Sequence, residues 1–266
     1  MIAEAALAVG AVAAGALVVA QRNRARLYRS LASRVEAIQR DIRIEAGDLL
    51  QRVPPSFEAR LTSLGKALPE ATVATIRRQA LELVRPERSY IPAHKKGGTV
   101  AYENLFASAP AIVALYHAPE LQEFISRIVG ARVSPTPIHD QSSLSVLFYE
   151  KPGDHIGWHY DHNFYRGRHV TVLFPVINEG TAAGRLSHAR LQARIDGRQM
   201  DVATPPNTLI LFEGARVHHK VTPILVGERR LVISMTYCTD CRANVVQGAA
   251  RRIKDVAFFG PRALWT

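Results

Sequence analysis

At 266 residues, with 47% hydrophobic side chains and turn residues spread throughout, the chain can bury one sizeable core. That excludes an intrinsically disordered protein and leaves little room for two full domains. Its formal net charge of +11, from 34 Lys and Arg against 23 Asp and Glu, favours anionic partners: lipid headgroups, nucleic acid or acidic metabolites.

Residues 5–20, AALAVGAVAAGALVVA, carry no charge, and with the residues before them approach the length that crosses a bilayer. Glu4 precedes the run, and an arginine cluster beginning at Arg22, Arg24 and Arg26 follows it. A cleaved signal peptide has the opposite order. The positive-inside rule makes 1–20 a single-pass anchor with the remainder in the cytoplasm. The adjacent arginines suit an anionic membrane surface, so a membrane is the expected partner and nucleic acid is not.

Over 21–53, Leu31, Val35, Ile38, Ile42 and Leu49 recur at spacings of three, four and seven, a helical stripe with coiled-coil character. The first expectation is a basic juxtamembrane stalk helix lying on the following domain; the second is a homodimer formed through the stalk. Pro54-Pro55 ends the segment and sets the domain boundary at 54.

The spacing predicts a helix over 69–84, opened by Pro69, and one or two helices over 111–129, the second starting near Pro119 and stopped by Gly130. The texture then changes to short apolar or alternating runs at 144–149, 170–177, 191–195, 208–212 and 231–237, separated by Gly, Pro, Asn and Asp. Such spacing predicts an antiparallel sandwich or barrel. The domain is expected to end at 241, with a short helix and irregular tail over 242–266. Cys238 and Cys241 imply no disulfide framework and point to a reducing compartment.

The chemistry centres on His159-Tyr160-Asp161. In an extended segment residues i and i+2 face the same way, so His159 and Asp161 can hold one metal together. Two His and one carboxylate on one face of an octahedral iron leave three positions open. His218 and His219 are the candidates for the second His. His155 and His159, four apart, would suit a helical zinc site only if a helix ran through Pro152, Gly153 and Gly157. Trp158, Tyr160, Phe164 and Tyr165 are candidates to line a substrate cleft, with simple packing an equal alternative.

The segment 149–178, YEKPGDHIGWHYDHNFYRGRHVTVLFPVIN, resembles the iron-binding region of prolyl-4-hydroxylase-like 2-oxoglutarate/Fe(II)-dependent dioxygenases. Residues 206–237, PNTLILFEGARVHHKVTPILVGERRLVISMTY, resemble the second half of that region. The resemblance implies an α+β protein, a double-stranded β-helix (jelly-roll) core with flanking N-terminal helices, here preceded by the single transmembrane helix. It implies Fe(II) bound by His159, Asp161 and His219, with 2-oxoglutarate and O2 as cosubstrates. It places the far carboxylate of 2-oxoglutarate on Arg229, ten residues after His219, rather than on Arg230, with Tyr149 as a second donor. Leu231 stands where the family often has Ser or Thr, and Gly184-Arg185-Leu186 where it often has Gly-Gly-Glu-Leu. In halogenating relatives a small residue replaces the carboxylate, so Asp161 implies hydroxylation of a C–H bond or a related oxidation. The expected substrate is membrane-associated or lipid; a protein prolyl residue or another small molecule comes next. The rival from another class is a catalytically silent, membrane-tethered binding protein on the same fold.

Overall fold

The structure, a computed structural model, describes residues 22–83 except residue 24, then 87–91 and 95–259. The segment 1–20 and the end of the tail lie outside the described residues. Among those described, no helix is long and apolar enough to cross a membrane.

Helix α1 spans 25–41. Its stripe is spent inside the chain: Leu31 and Val35 are buried in the main core cluster, with Leu27, Ile38 and Ile42 packed against it. Polar ties reinforce the seat, as Gln39 Nε2 donates to the His117 carbonyl at 2.8 Å and the Arg34 guanidinium lies 5.0 Å from the Phe106 ring centroid. The stripe thus lies on the chain's own domain, the first of the two expectations, and its dimerising use gains no support. Leu49, in a 3-10 turn at Leu49–Gln51, is fully buried, and Arg127 donates to the carbonyls of Leu50 and Arg52. The packed unit therefore extends upstream of Pro54.

Four further helices follow: α2 (Glu70–Glu82), α3 (Tyr102–Ser108), α4 (Pro110–His117) and α5 (Pro119–Val129). Pro110 and Pro119 each sit at the first turn, where a missing N–H costs nothing. Gly130 closes α5 in the left-handed region at φ 70°, a conformation that favours glycine.

The strands are β1 (Leu61–Gly65), β2 (Glu87–Ile91), β3 (Lys95–Ala101), β4 (Ser134–Pro135), β5 (Leu144–Tyr149), β6 (His155–His159), β7 (His169–Glu179), β8 (Leu191–Ile195), β9 (Arg198–Val202), β10 (Thr208–Phe212), β11 (His218–Val221) and β12 (Arg229–Cys238). Their order is β1-β10-β7-β12-β5-β3-β6-β11-β8-β9, antiparallel throughout, with β2 added to β3 and β4 to β12. From β5 to β12 the chain crosses between one layer, β10-β7-β12-β5, and the other, β6-β11-β8-β9, at every step except the β8-β9 hairpin. That is a jelly roll, in which curling onto itself disposes of most strand edges.

Two cores result. Between the larger layer and the helices lie Val146, Phe148, Phe174, Leu231, Ile233 and Met235; inside the roll lie Tyr149, Leu173, Leu191, Phe212, Val221 and Val232. Both faces of the larger layer are thus buried, which explains the near-continuous apolar reading of β7 and β10.

After β12, Cys238 and Cys241 are joined as a disulfide. Two cysteines implied no disulfide framework from sequence, but the turn brings this pair's Cα atoms to 5.3 Å, within the usual reach. The same turn grips the loop before β7, where Gly167 N–H donates to the Asp240 carbonyl at 3.0 Å. A Cβ on Gly167 would collide with the Asp240 backbone. The tail forms helix α6 (Val245–Phe259), whose Lys254 and Arg251 reach back to Ser142 Oγ and the His139 carbonyl.

Candidate metal centre and its two cavities

His159 ends β6 and His219 lies opposite it on β11, paired in register across the smaller layer. Asp161 follows two residues after His159, its N–H donating to the Gly214 carbonyl at 2.9 Å. Asp161 Oδ1 lies 3.5 Å from His159 Nε2 and 3.7 Å from His219 Nε2. One ligand atom from each residue falls within 4.8 Å of the others. Adjacent ligands on an octahedral ion with bonds of about 2.1 Å are roughly 3 Å apart, so the donors need move only slightly to meet one.

Backbone carbonyls set both imidazoles. His159 Nδ1–H donates to Gly157 at 2.8 Å, and His219 Nδ1–H to Val217 at 2.9 Å. Each Nε2 is thereby left as the lone-pair atom a metal needs. Burial alone would push the Asp161 carboxyl up in pKa, but His219 and His159 beside it hold it well below the usual carboxylate range. Burial lowers the pKa of His219, and the net change is downward despite Asp161. For His159 burial acts downward too, yet the hydrogen bond to Asp161 prevails and raises it. Thr171 Oγ1 donates to Asp161 Oδ2 at 2.5 Å.

Gly214 makes room for that carboxylate: a Cβ there would sit 2.2 Å from Asp161 Oδ2 and 2.7 Å from Thr171 Oγ1. His218, one residue from the ligand, turns to the outer face, between Trp158 and Tyr160. The helical zinc alternative fails because β6 is extended from His155 to His159.

Two cavities share the three-residue centre's His159 and Asp161. The smaller, about 120 Å³, adds His219 and runs inward past Leu147, Tyr149, Phe212 and Val232 to Arg230. Arg230 is 1% exposed, and its Nε and Nη1 have no hydrogen-bond partner among the described residues. Burial lowers its pKa, opposed by Tyr149. The guanidinium carbon lies 5.5 Å from the Tyr149 ring centroid, and burial pushes the Tyr149 hydroxyl up to about 12. Orphaned guanidinium nitrogens at the end of a cavity that starts at a metal triad fit the far carboxylate of a bound 2-oxo acid.

Arg229 is not in this cavity. Its Nη2 donates to Glu179 Oε2 at 3.2 Å on the outer side of the layer, where Arg77 meets the same carboxylate. The ten-residue spacing points to Arg229, but it is Arg230 that lines the cavity, and strand alternation is the reason. Arg230, Val232 and Ser234 all line the inner cavity, whereas Leu231 and Ile233 face the helices.

The larger cavity, about 190 Å³, opens outward and is lined by Lys95, Thr99, Ser142, Ser145, His169, Lys254 and other polar groups, with Leu147 and Ile156 as apolar members. Of the four expected cleft aromatics only Tyr160, 51% exposed, lines it. Trp158 lies on the outer face under Arg194 and Lys220. Phe164 is buried below Lys254, and Tyr165 is buried, donating to Asp140 at 2.7 Å. Lys95, His169 and Lys254 were not foreseen, and a lysine in an alternating strand gave no periodic signal.

The family model described as Halogenase D matches residues 51–253, more than half of the chain. The chain belongs to the Halogenase D family. Solved structures share the fold at low identity. The non-heme α-ketoglutarate-dependent epimerase SnoN from nogalamycin biosynthesis aligns with TM-score 0.57 and 14% identity, covering 71% of this chain and 80% of that one. A prolyl hydroxylase from Trichoplax adhaerens, in complex with a hypoxia-inducible-factor peptide fragment, aligns with TM-score 0.55 and 16% identity, covering 77% and 91%. The carbocyclase SnoK, also from nogalamycin biosynthesis, aligns with TM-score 0.53 and 14% identity over 73% and 86%. No curated protein sequence matches the chain. The chain thus combines this fold with a His159, Asp161 and His219 set whose ligand atoms could hold a metal ion.

Proposed function

We propose that this oxygenase hydroxylates a C–H bond of a small polar substrate and does not halogenate. The observation that carries the reading is Asp161, seated between His159 Nε2 and His219 Nε2. Three protein ligands on an octahedral ion leave three positions, two for a chelating 2-oxo acid and one for O2. A halide would have no position left.

When bound, Fe(II) with 2-oxoglutarate and O2 supplies the oxidant that puts one oxygen atom into a C–H bond, releasing succinate and CO2. The chain's own residues do the rest. His159, Asp161 and His219 would hold the ion, and the carbonyls of Gly157 and Val217 fix the rings. Arg230 supplies the charge for the far carboxylate, and Tyr149 packs beside it. Leu147, Ile156, Leu173 and Phe212 keep water out of the inner cavity. The substrate is received by the outer cavity.

Most of the residues around that outer cavity carry a hydroxyl, imidazole or charged group, which supports a small molecule with polar groups over a bare lipid chain. We further propose that residues 1–20 anchor the protein in a membrane with the catalytic domain on the cytoplasmic side, on the charge order of the sequence. Resistance to alkaline extraction from membranes tests the anchor; release of the full chain into the supernatant refutes it.

The test of the enzyme reading is anaerobic. Fe(II) followed by 2-oxoglutarate is expected to give a weak visible charge-transfer band in the full chain and none in His219→Ala. A folded, iron-loaded protein without the band would point instead to a silent binding protein.

A further inference from the structure

Helix α6 carries its charge inward and its apolar side chains outward. Arg251 is 3% exposed and Asp255 fully buried, the two paired at 2.6 Å. Lys254 joins them, meeting Asp255 at 3.0 Å and Asp140 at 3.3 Å. On the other face Val245, Val246 and Ile253 are 89%, 76% and 72% exposed, with Ala249 and Ala250 exposed between them. At about 100° per residue these five fall within an arc of roughly 140°, and a helix on a domain surface ordinarily turns such a stripe to the core. Buried charges are tolerated when paired, as they are here, so the ion pairs fix the rotation of α6 and leave its apolar face outside.

A contiguous exposed apolar patch marks a contact surface, and its surroundings say with what. Arg251 Nη1 donates to the His139 carbonyl at 2.7 Å, and the His139 ring stacks on Tyr28 of α1 at 4.6 Å. The start of α1 and the apolar helix are therefore neighbours through one residue. That start is cationic: Arg22, Arg26 and Arg29 are exposed, and no acidic residue occurs between Arg22 and Val35. The uncharged run 5–20 joins the chain at the same end. A second copy of the chain on this surface would bring like charges together, which opposes the contact. An anionic lipid surface satisfies both features, since headgroups meet the arginines and the acyl boundary meets the apolar face.

From this juxtaposition we infer that α6 is an interfacial helix, lying along an anionic bilayer with Val246 and Ile253 set into the headgroup boundary. The contact is distinct from the anchor proposed for residues 1–20: it lies on the surface, does not span, and belongs to the folded domain. Lys254 of the same helix stands in the wall of the outer cavity. A seated α6 would therefore hold that cavity close to the bilayer.

The experiment uses the full chain with vesicles of phosphatidylcholine containing about a quarter phosphatidylglycerol. Ile253→Trp places a fluorescent reporter on the exposed face, and part of the phosphatidylcholine carries bromine in its acyl chains as a contact quencher. The parent protein, with its own Trp158 and Trp265, is the baseline. The added emission is expected to shift blue and fall roughly twofold or more on these vesicles, and much less on phosphatidylcholine alone. Val246→Glu in the same background should abolish the quenching. Added emission that stays unquenched would overturn the inference; if that protein still resists alkaline extraction from the vesicles, the anchor at 1–20 stands. Emission already blue-shifted without vesicles, and dependent on protein concentration, would overturn the inference in favour of a second copy. Quenching in a protein that alkali releases would uphold the interfacial helix and sink the anchor.

Discussion

Arg229 and Arg230 are adjacent in β12 and face opposite sides of the same layer, the first bound to Glu179 at the surface, the second buried at the end of the inner cavity. Their substitutions should separate cleanly. Arg230→Gln is expected to weaken 2-oxoglutarate by roughly 30-fold or more, the range for removing one partner of a buried charge pair at about 2–5 kcal/mol. Arg229→Gln breaks an exposed pair worth about 1 kcal/mol or less and should change KM for 2-oxoglutarate by no more than a few-fold. Steady-state kinetics on 2-oxoglutarate decide it; the reverse ranking would return the role to Arg229.

Gly214→Ala places a methyl group against Asp161 Oδ2 and Thr171 Oγ1. The carboxylate must swing out of line with the two imidazoles. Iron affinity is expected to fall about 10- to 100-fold, the usual cost of disturbing the groups that orient a ligand. Isothermal titration with Fe(II) under argon measures this, and an unchanged affinity would mean Asp161 is not a ligand.

His117 gives a pH dependence of stability remote from the iron. Its Nε2 accepts from the Tyr102 hydroxyl at 2.5 Å, and burial lowers its pKa from 6.5 to about 4. The unfolded chain therefore binds the extra proton first. Stability from this group is complete above pH 6.5 and drains away as pH falls towards 4, a loss on the order of 3 kcal/mol. In Tm terms this is roughly 5–10 °C. His117→Gln keeps an acceptor but cannot titrate, so it should lose that much less between pH 7 and 4.5. Parallel melting curves for the two proteins would refute the assignment.

Helix α1 is part of the folded unit, because Leu31 and Val35 are buried in the main cluster. Leu31→Ala should cost about 2 kcal/mol, at the low end for a leucine truncated in a core. Chemical denaturation reads it. A stability unchanged from the parent, with a loss of self-association instead, would restore the dimerising stalk.

Much of this was legible in the sequence, and the reasons differ by feature. The ligands His159 and Asp161 follow from the period of an extended chain, and His219 from its place in a second ordered motif. The strands of the roll announced themselves by short apolar runs between turn residues. The choice within Arg229-Arg230 rested on a spacing, and the cavity is lined by the other arginine. Both faces of β12 are buried, so hydrophobic alternation was hidden. A polar clue was present: Arg230, Ser234 and Thr236 share parity, and Ser234 and Thr236 line the outer cavity. The place of Lys95 in the outer cavity wall could not have been found this way, since it depends on which strands β3 lies beside, and β3 pairs with β5 and β6 across some fifty residues or more. The fate of the α1 stripe was equally non-local: the same apolar spacing serves a partner helix or the chain's own core.

The bond from Thr171 to Asp161 Oδ2 divides the carboxylate between two tasks. With Oδ2 engaged by the hydroxyl, Oδ1 alone faces the two imidazoles. The aspartate would thereby meet an ion through Oδ1 alone. A carboxylate free to clasp the ion with both oxygens would consume a further coordination position and compete with O2 for it. One threonine hydroxyl, ten residues along the chain, thus helps to set the denticity of the site and with it the number of places where chemistry can occur.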